Sequence, residues 1–355
     1  MQDSSKDPAS EPTSGDTPPD PMVLSAEYRA SIRQVISEGN FDELRGGANN
    51  KLAYLTEQFC RHGGSVKSLE PDVHDLWYIY YQCGSNISHE SAEQHKWALH
   101  VLRTVGLGPL KRPAQDSNRE FEAVRFPAGV LWEDLPFFVT DMTDYWINDC
   151  ATMKAGQRAN FSYFLARLAS TGVVNDRLSQ IALVILRDTL ETKRPLGSLK
   201  EPGNAKSDAN MYDLSIADLL PAACAWFKEA GLKILQLSDM SWNDCSETVG
   251  QGGATFAASV LGQKSSAGFS PSRWLCWLKR LDEINQEATQ AGEEGLAEHA
   301  LDALEIMLSE VEERNCQVLK EFEAAPSDLI RDKCRFNTRK FLGWGHNSEE
   351  VFEQI

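Results

Sequence analysis

The chain has no CxxC pair: its eight cysteines, Cys60, Cys83, Cys150, Cys224, Cys245, Cys276, Cys316 and Cys334, are scattered. Isolated thiols of this kind fit a reduced protein and argue against a disulfide framework or a zinc site. Positive charge is short as well. Against 52 Asp and Glu there are 35 Lys and Arg, a formal charge of −17 at pH 7, with no basic run beyond a residue or two. That balance argues against nucleic acid, which needs clustered cations to displace counterions, and against an anionic membrane surface. No stretch approaches the roughly 18 uninterrupted apolar residues of a spanning helix, and the N-terminus has no apolar signal core. The expectation is a soluble, cytoplasmic protein.

Nucleophile and cofactor motifs are missing too. There is no GxSxG, and no GxGxxG follows a strand, so a nicotinamide or flavin loses its usual cradle. "GQGG" at 250–253 lacks the Lys-Ser/Thr of a phosphate loop, and "GQKSS" at 262–266 lacks the glycine five residues before it. His89, His95 and His100 are spaced by six and five, so no two share a helical face as metal ligands do, and each reads as a surface or rim histidine. No cofactor and no metal is expected.

What is present is helical period. Val73, Leu76, Trp77 and Tyr80 fall at i, i+3, i+4 and i+7; so do Phe161, Phe164, Leu165 and Leu168, and Trp274, Trp277, Leu278 and Leu281. Ser270-Pro271 supplies an N-cap with proline at the first helical position. Asn175 or Asp176 can cap the apolar helix of "LSQIALVIL", and Gly231 is placed to end that of "PAACAWFKEAG". Strand alternation is nowhere convincing. The fold class is therefore all-α: a single bundle-like domain of roughly ten helices with long loops at 106–128, 192–211 and 246–270. Residues 1–22, rich in Ser, Pro, Asp and Thr, read as a disordered tail, 23–345 as the helical domain, divisible into sub-bundles near 192–211, and 346–355 as a C-terminal tail. Leu301, Leu304, Leu308, Val311, Asn315, Val318 and Phe322 form a heptad seam on one long helix, a core helix or a homodimer contact.

"DLPFFVTDMTDYWINDC", 134–150, puts Asp141 and Asp144 on one helical face and Phe138, Met142 and Tyr145 on another. Carboxylates three apart could hold Mg²⁺ to a diphosphate, as on the aspartate-rich helix of terpene cyclases. The second metal helix of such enzymes needs Glu at its ninth position, where "NDRLSQIAL" has Leu183. The plainer reading is an amphipathic helix with a wet acidic stripe that borders a pocket. Arg167, Arg187, Glu191, Arg273 and Arg280 stand among apolar or tryptophan-rich segments. They serve either as donors to a substrate oxygen, with tryptophan walls, or as a buried Arg–Glu network fixing helix register.

The segments "LWEDLPFF", "NFSYFLARLASTGV", "IALVILRDTLE", "PAACAWFKEAG" and "SRWLCWLKRLDEI" occur in order, and from about Leu76 to Ile284 the chain resembles the fungal domain-of-unknown-function family 3632. The resemblance implies an all-helical fungal protein with no general assigned activity, some relatives lying beside biosynthetic genes for polyketides and terpenoids. The matching positions are Trp132, Pro136, Asn160, Phe164, Arg167, Arg187, Glu191, Trp226, Arg273, Trp274 and Trp277, none with an established role.

Elimination leaves reactions in which confinement, worth ~7–11 kcal/mol, and one polarising group are enough. The first expectation is a cofactor-independent cyclase or isomerase of fungal secondary metabolism, of Diels–Alder type among the options, acting on a small lipophilic terpenoid or polyketide. Asp141 and Asp144 would be acid or base, and Arg167 and Arg273 oxygen donors. Trp132, Phe138, Tyr145, Phe164, Arg187, Trp226, Trp274 and Trp277 would shape the pocket. The second is a non-catalytic helical interaction module, and the third Mg²⁺-dependent terpene chemistry.

Overall fold

In a computed structural model of the chain, the described residues are 21–114, 120–199, 210–312, 314 and 316–324. Among them run thirteen α-helices and no sheet larger than a two-stranded pair, so the fold is all-α. The first group is α1 (Pro21–Ser37), α2 (Phe41–Cys60), α3 (Val66–Asn86) and α4 (Ala92–Gly106), followed by α5 (Phe138–Asp149), α6 (Ala155–Ser170) and α7 (Gln180–Leu190). After α8 (Ile216–Asp239) come the one-turn α9 (Glu247–Gly250) and α10 (Ala254–Ala257), then α11 (Pro271–Ala291), α12 (Glu294–Glu312) and α13 (Gln317–Ala324). Of the expected N-terminal tail, residues 1–20 lie outside the described residues, and Pro21 and Met22 already belong to α1; the 346–355 tail also lies outside.

α6 is the joint of the bundle, packing on α3 at one side and on α8 at the other, while α11 and α12 lie against α8. The three apolar stripes read from the sequence, on α3, α6 and α11, are all buried, in one continuous hydrophobic cluster. Gly84 lets α3 and α6 approach: a Cβ there would stand 2.6 Å from the Phe164 ring. Ser270 caps α11 as read, its Oγ accepting from Arg273 N at 3.1 Å with Pro271 in the first turn.

Several local expectations are corrected. The 106–128 loop contains an antiparallel pair, β1 (Lys111–Pro113) with β2 (Phe121–Ala123), and runs into a second, β3 (Arg125–Phe126) with β4 (Gly129–Val130). Neither Asn175 nor Asp176 caps α7, because Val174, Asn175 and Asp176 have φ of 58°, 52° and 65°, and a short 3₁₀ turn, Arg177–Ser179, precedes the helix. Gly231 does not end its helix; α8 continues to Asp239 across a kink at Ala230 (φ −131°, ψ 20°). The heptad seam is not one helix, since α12 stops at Glu312 and α13 starts at Gln317. Leu304, Leu308, Val311 and Val318 are buried within the chain, and Asn315 lies outside the described residues.

The 246–270 segment is not an unstructured loop. It folds into α9, α10 and a 3₁₀ turn (Gly262–Lys264), and one buried ion pair pins it down. Glu191, at the end of α7, meets Arg273 of α11 through Nε–Oε1 at 2.6 Å and Nη2–Oε2 at 3.1 Å. The remaining guanidinium hydrogens go to backbone carbonyls of the arm: Gly250 at 2.8 Å, Gly268 at 2.9 Å and Gln251 at 3.2 Å. Glu191 in turn accepts from Trp277 Nε1 at 2.6 Å and from Gly253 N at 2.7 Å. Gly253 is required there, for a Cβ would fall 2.5 Å from the Glu191 carbonyl oxygen.

Both side chains are fully buried, so removing one partner strands a charge. Glu191→Ala is expected to cost about 3–5 kcal/mol of folding stability. The double change Glu191→Leu with Arg273→Met should cost less than Glu191→Ala alone. Urea denaturation of the wild type and both variants measures the difference.

Candidate functional site

α3 and α5 lie side by side in the same direction, and three pairs of side chains meet along them at a nearly constant offset. His74 Nδ1 stands 2.6 Å from Asp141 Oδ2. One turn on, the Tyr78 ring meets Tyr145 edge-to-face with centroids 5.9 Å apart. Tyr145 also stacks on Tyr81 at 4.3 Å and 13°, and the Tyr81 hydroxyl donates to Asp149 Oδ2 at 2.8 Å. Spacings of three and four place His74, Tyr78 and Tyr81 on one face of α3, and Asp141, Tyr145 and Asp149 on one face of α5.

The lead-in to α5 is strained. Trp132, Leu135 and Phe137 have φ of 70°, 45° and 67°. This turn is held by Trp77 Nε1 donating to the Pro136 carbonyl at 2.8 Å and by Val130 N donating to Asp134 Oδ2 at 2.7 Å. It lays the Phe137 ring against the imidazole of His74, 4.7 Å between centroids. Bulky residues in the left-handed region cost energy, and such strain gathers where a side chain must be aimed. On the other flank α1 is held by polar contacts: Arg29 Nε to Asp75 Oδ1 at 3.1 Å, and Arg33 Nη1 to the Tyr78 hydroxyl at 2.9 Å.

The hydrogen bond to Asp141 raises the His74 pKa above the ordinary value, against the effect of burial. Burial pushes the Asp141 carboxyl up, and the bond from His74 opposes that rise. Burial, then the charge of Asp141, lifts the Tyr145 phenol far above neutrality, so it is a neutral hydroxyl that can donate. Nδ1 of His74 is engaged, while Nε2 has no partner among the described residues; the side chain is 30% exposed. A carboxylate-oriented imidazole with a free Nε2 is a proton acceptor of raised basicity.

Among the residues singled out from sequence, Asp141, Tyr145, Phe138 and Trp132 belong to this α3–α5 region, Phe138 and Trp132 packing on Trp77 beneath it. Asp144 is exposed and does not join the His74–Asp141 contact. Arg273 has every N–H committed to Glu191 and the arm, leaving none for a substrate. Arg167 donates to Gln94 Oε1 at 2.8 Å, the His89 carbonyl at 3.2 Å and Glu229 Oε1 at 2.8 Å. Arg187 reaches the Thr248 carbonyl at 2.8 Å rather than Glu191. Phe164, Trp226, Trp274 and Trp277 are fully buried core, and the ring contacts of Trp277, to Phe227 and Phe269, stay apart from the α3–α5 aromatics.

Two cavities are described: one of about 420 Å³ in the 247–267 arm, the other of about 510 Å³ at the α8 kink. None of these predicted pocket residues lines either. His100 is not a rim residue: it is buried, bridging the Tyr80 hydroxyl at 2.7 Å and Asn49 Oδ1 at 2.9 Å. Among the described residues no three His, Cys, Asp or Glu side chains gather in a metal-binding group.

His74 is the residue of this contact that the sequence reading did not single out. Its signal was there: it precedes Tyr78 by four residues, the interval that separates Asp141 from Tyr145 on α5. Only the fold shows that the two stripes face each other.

The family model described as Protein of unknown function (DUF3632) matches residues 77–281, and the chain belongs to that family. A relative from Penicillium oxalicum (strain 114-2 / CGMCC 5302), named Oxopyrrolidines biosynthesis cluster protein G, is 41% identical over 340 residues, covering 94% of each chain. No solved structure matches significantly. No helix among the described residues is long and apolar enough to cross a membrane.

Because His74 binds its proton more tightly in the folded state, the sign of its pH dependence is fixed. The contribution is complete below the ordinary histidine pKa of 6.5 and is lost as pH rises through the raised folded value. The melting-temperature difference between wild type and His74→Gln should therefore be most favourable to the wild type on the acid side of 6.5 and shrink as pH rises. Thermal melts across that range check the sign.

Proposed function

We propose that this chain is a cofactor-independent isomerase or cyclase of secondary-metabolite biosynthesis, acting in the cytoplasm, with His74 as its general base. The observation that carries the reading is the 2.6 Å contact between His74 Nδ1 and Asp141 Oδ2, which leaves Nε2 free. The name of the 41% identical relative places that protein in a biosynthesis cluster, which supports the metabolic setting. An oxopyrrolidine is a five-membered ring with nitrogen and a carbonyl. A carbon acid beside a carbonyl is what a histidine base deprotonates.

In this scheme Nε2 takes the proton from carbon and the electron pair moves onto the carbonyl oxygen. The imidazolium then returns the proton at another carbon, or the enolate carbon adds to a second carbonyl of the same substrate, whose C=O π bond breaks and whose alkoxide takes the proton back from the imidazolium. Asp141 holds the tautomer and stabilises the imidazolium. The Tyr145 hydroxyl, without a partner among the described residues, is the donor to the enolate oxygen. Asp141 is thus an orienting group rather than the acid itself. Arg167 and Arg273 give up the donor role, being committed to protein acceptors, and Asp144 stays in solvent.

The second reading, a non-catalytic helical module, is favoured by one fact: Phe164, Trp226, Trp274 and Trp277 are packed core rather than pocket wall. The experiment separates the two. Deleting the gene should remove one metabolite and accumulate another of identical mass, restored by wild type but not by His74→Asn. Purified Asp141→Asn should convert the accumulated compound about 100-fold or more slowly. Full restoration by a folded His74→Asn protein sinks the catalytic reading, and a deletion with no metabolic difference turns attention to protein partners.

A further inference from the structure

We propose that the cavity in the 247–267 arm is a binding site for a small organic amine. At about 420 Å³ it has the size of a small-ligand pocket, and its frame is built rather than incidental. Arg273 fixes both ends of the arm through the Gly250, Gln251 and Gly268 carbonyls, and Gly268 N donates to the Gly250 carbonyl at 2.9 Å. Gly253 is tied to Glu191 at 2.7 Å. At the far wall a Cβ on Gly262 would lie 1.9 Å from the Phe256 carbonyl oxygen, so only glycine admits that approach. The space is therefore preformed, and a ligand need not order the backbone to occupy it.

The lining sets the chemistry. Phe256, with Ala257 and Ala267, gives an apolar wall for a compact hydrocarbon or aryl body. Glu247, Thr248, Gln251 and Ser266 stand exposed around its open mouth, with side chains that have no intramolecular partner among the described residues and are therefore available to a ligand. Glu247 is the one charged residue among those lining the cavity, and it is negative. An ammonium group has three N–H donors, enough for the Glu247 carboxylate, a hydroxyl and the Gln251 amide oxygen, whereas a carboxylate ligand would face Glu247 with like charge. The chain's net charge of −17 further raises the local concentration of cations. This site is independent of His74, so either assignment can fail without the other.

The test is calorimetric titration of the full chain with 2-phenylethylammonium and with 3-phenylpropionate, probes of matched size and opposite charge. The expected result is saturable binding of the amine, weakened roughly tenfold by Glu247→Gln and abolished by Ala257→Trp, which fills the cavity from its exposed wall. Unchanged melting temperatures establish that both variants are folded; should Ala257→Trp melt early, Thr248→Trp fills the same cavity from the opposite wall. Absence of amine binding to the wild type overturns the proposal. So does equal binding of the carboxylate, or amine binding that survives both substitutions.

Discussion

One buried ion pair organises the second half of this molecule. Glu191 and Arg273 come from helices 82 positions apart in sequence and meet with no solvent contact. Charges so placed are tolerable only if every donor and acceptor is met, and here the backbone of a single arm meets those the two side chains do not satisfy for each other. The arm supplies three carbonyls to the guanidinium and one N–H to the carboxylate, and Trp277 adds another N–H. Glycine at 253 follows from that demand, because a Cβ there would fall 2.5 Å from the Glu191 carbonyl oxygen; Gly252 and Gly268 answer to other close neighbours, the Phe256 ring at 2.5 Å and the Trp242 carbonyl oxygen at 2.3 Å. What the hydrophobic cluster cannot do, fixing an irregular segment in one conformation, the ion pair does.

The same device recurs at smaller scale. Arg158 donates to the Cys150 and Met153 carbonyls and to Asp218, tying the turn before α6 to the start of α8. Arg167 holds the His89 carbonyl, and Arg194 those of Met211 and Leu214. The planar guanidinium, with its five fixed donors, can gather carbonyls that a regular helix would have satisfied itself. In this bundle these arginines brace the ends of irregular segments.

That pattern explains which parts of the structure were legible in the sequence. The stripes of α3, α6 and α11 repeat at the helical period and are buried as read, because period and burial are one signal. The Ser270-Pro271 start of α11 has a local cause and was equally visible. Gly231 misled, because tertiary packing carries α8 through a kink at which an isolated helix would end. Val174–Asp176 misled for a related reason: a β-branched residue in the left-handed region has no local sequence signature. Of the candidate site, the helix carrying Asp141 and Tyr145 was visible, but the sequence reading set the two on separate faces and left Asp141 in a wet acidic stripe. In the fold Asp141 is buried and both turn toward α3, where the partner of Asp141, His74, lies 67 residues earlier. The acceptors of Arg273 were hidden in backbone, which sequence patterns do not show.

The matched family span begins at residue 77, within α3, and His74 falls just ahead of it while Asp141 falls inside. The alignment with the Penicillium oxalicum relative nevertheless runs over 94% of this chain, so the N-terminal helices travel with the bundle. The proposed dyad is split along the chain: its base lies midway along α3, where α1 is fastened by Arg29 and Arg33, and its orienting carboxylate lies on α5. Loosening α1 would thus disturb the base while leaving the Glu191–Arg273 knot, in the other half of the chain, as it is.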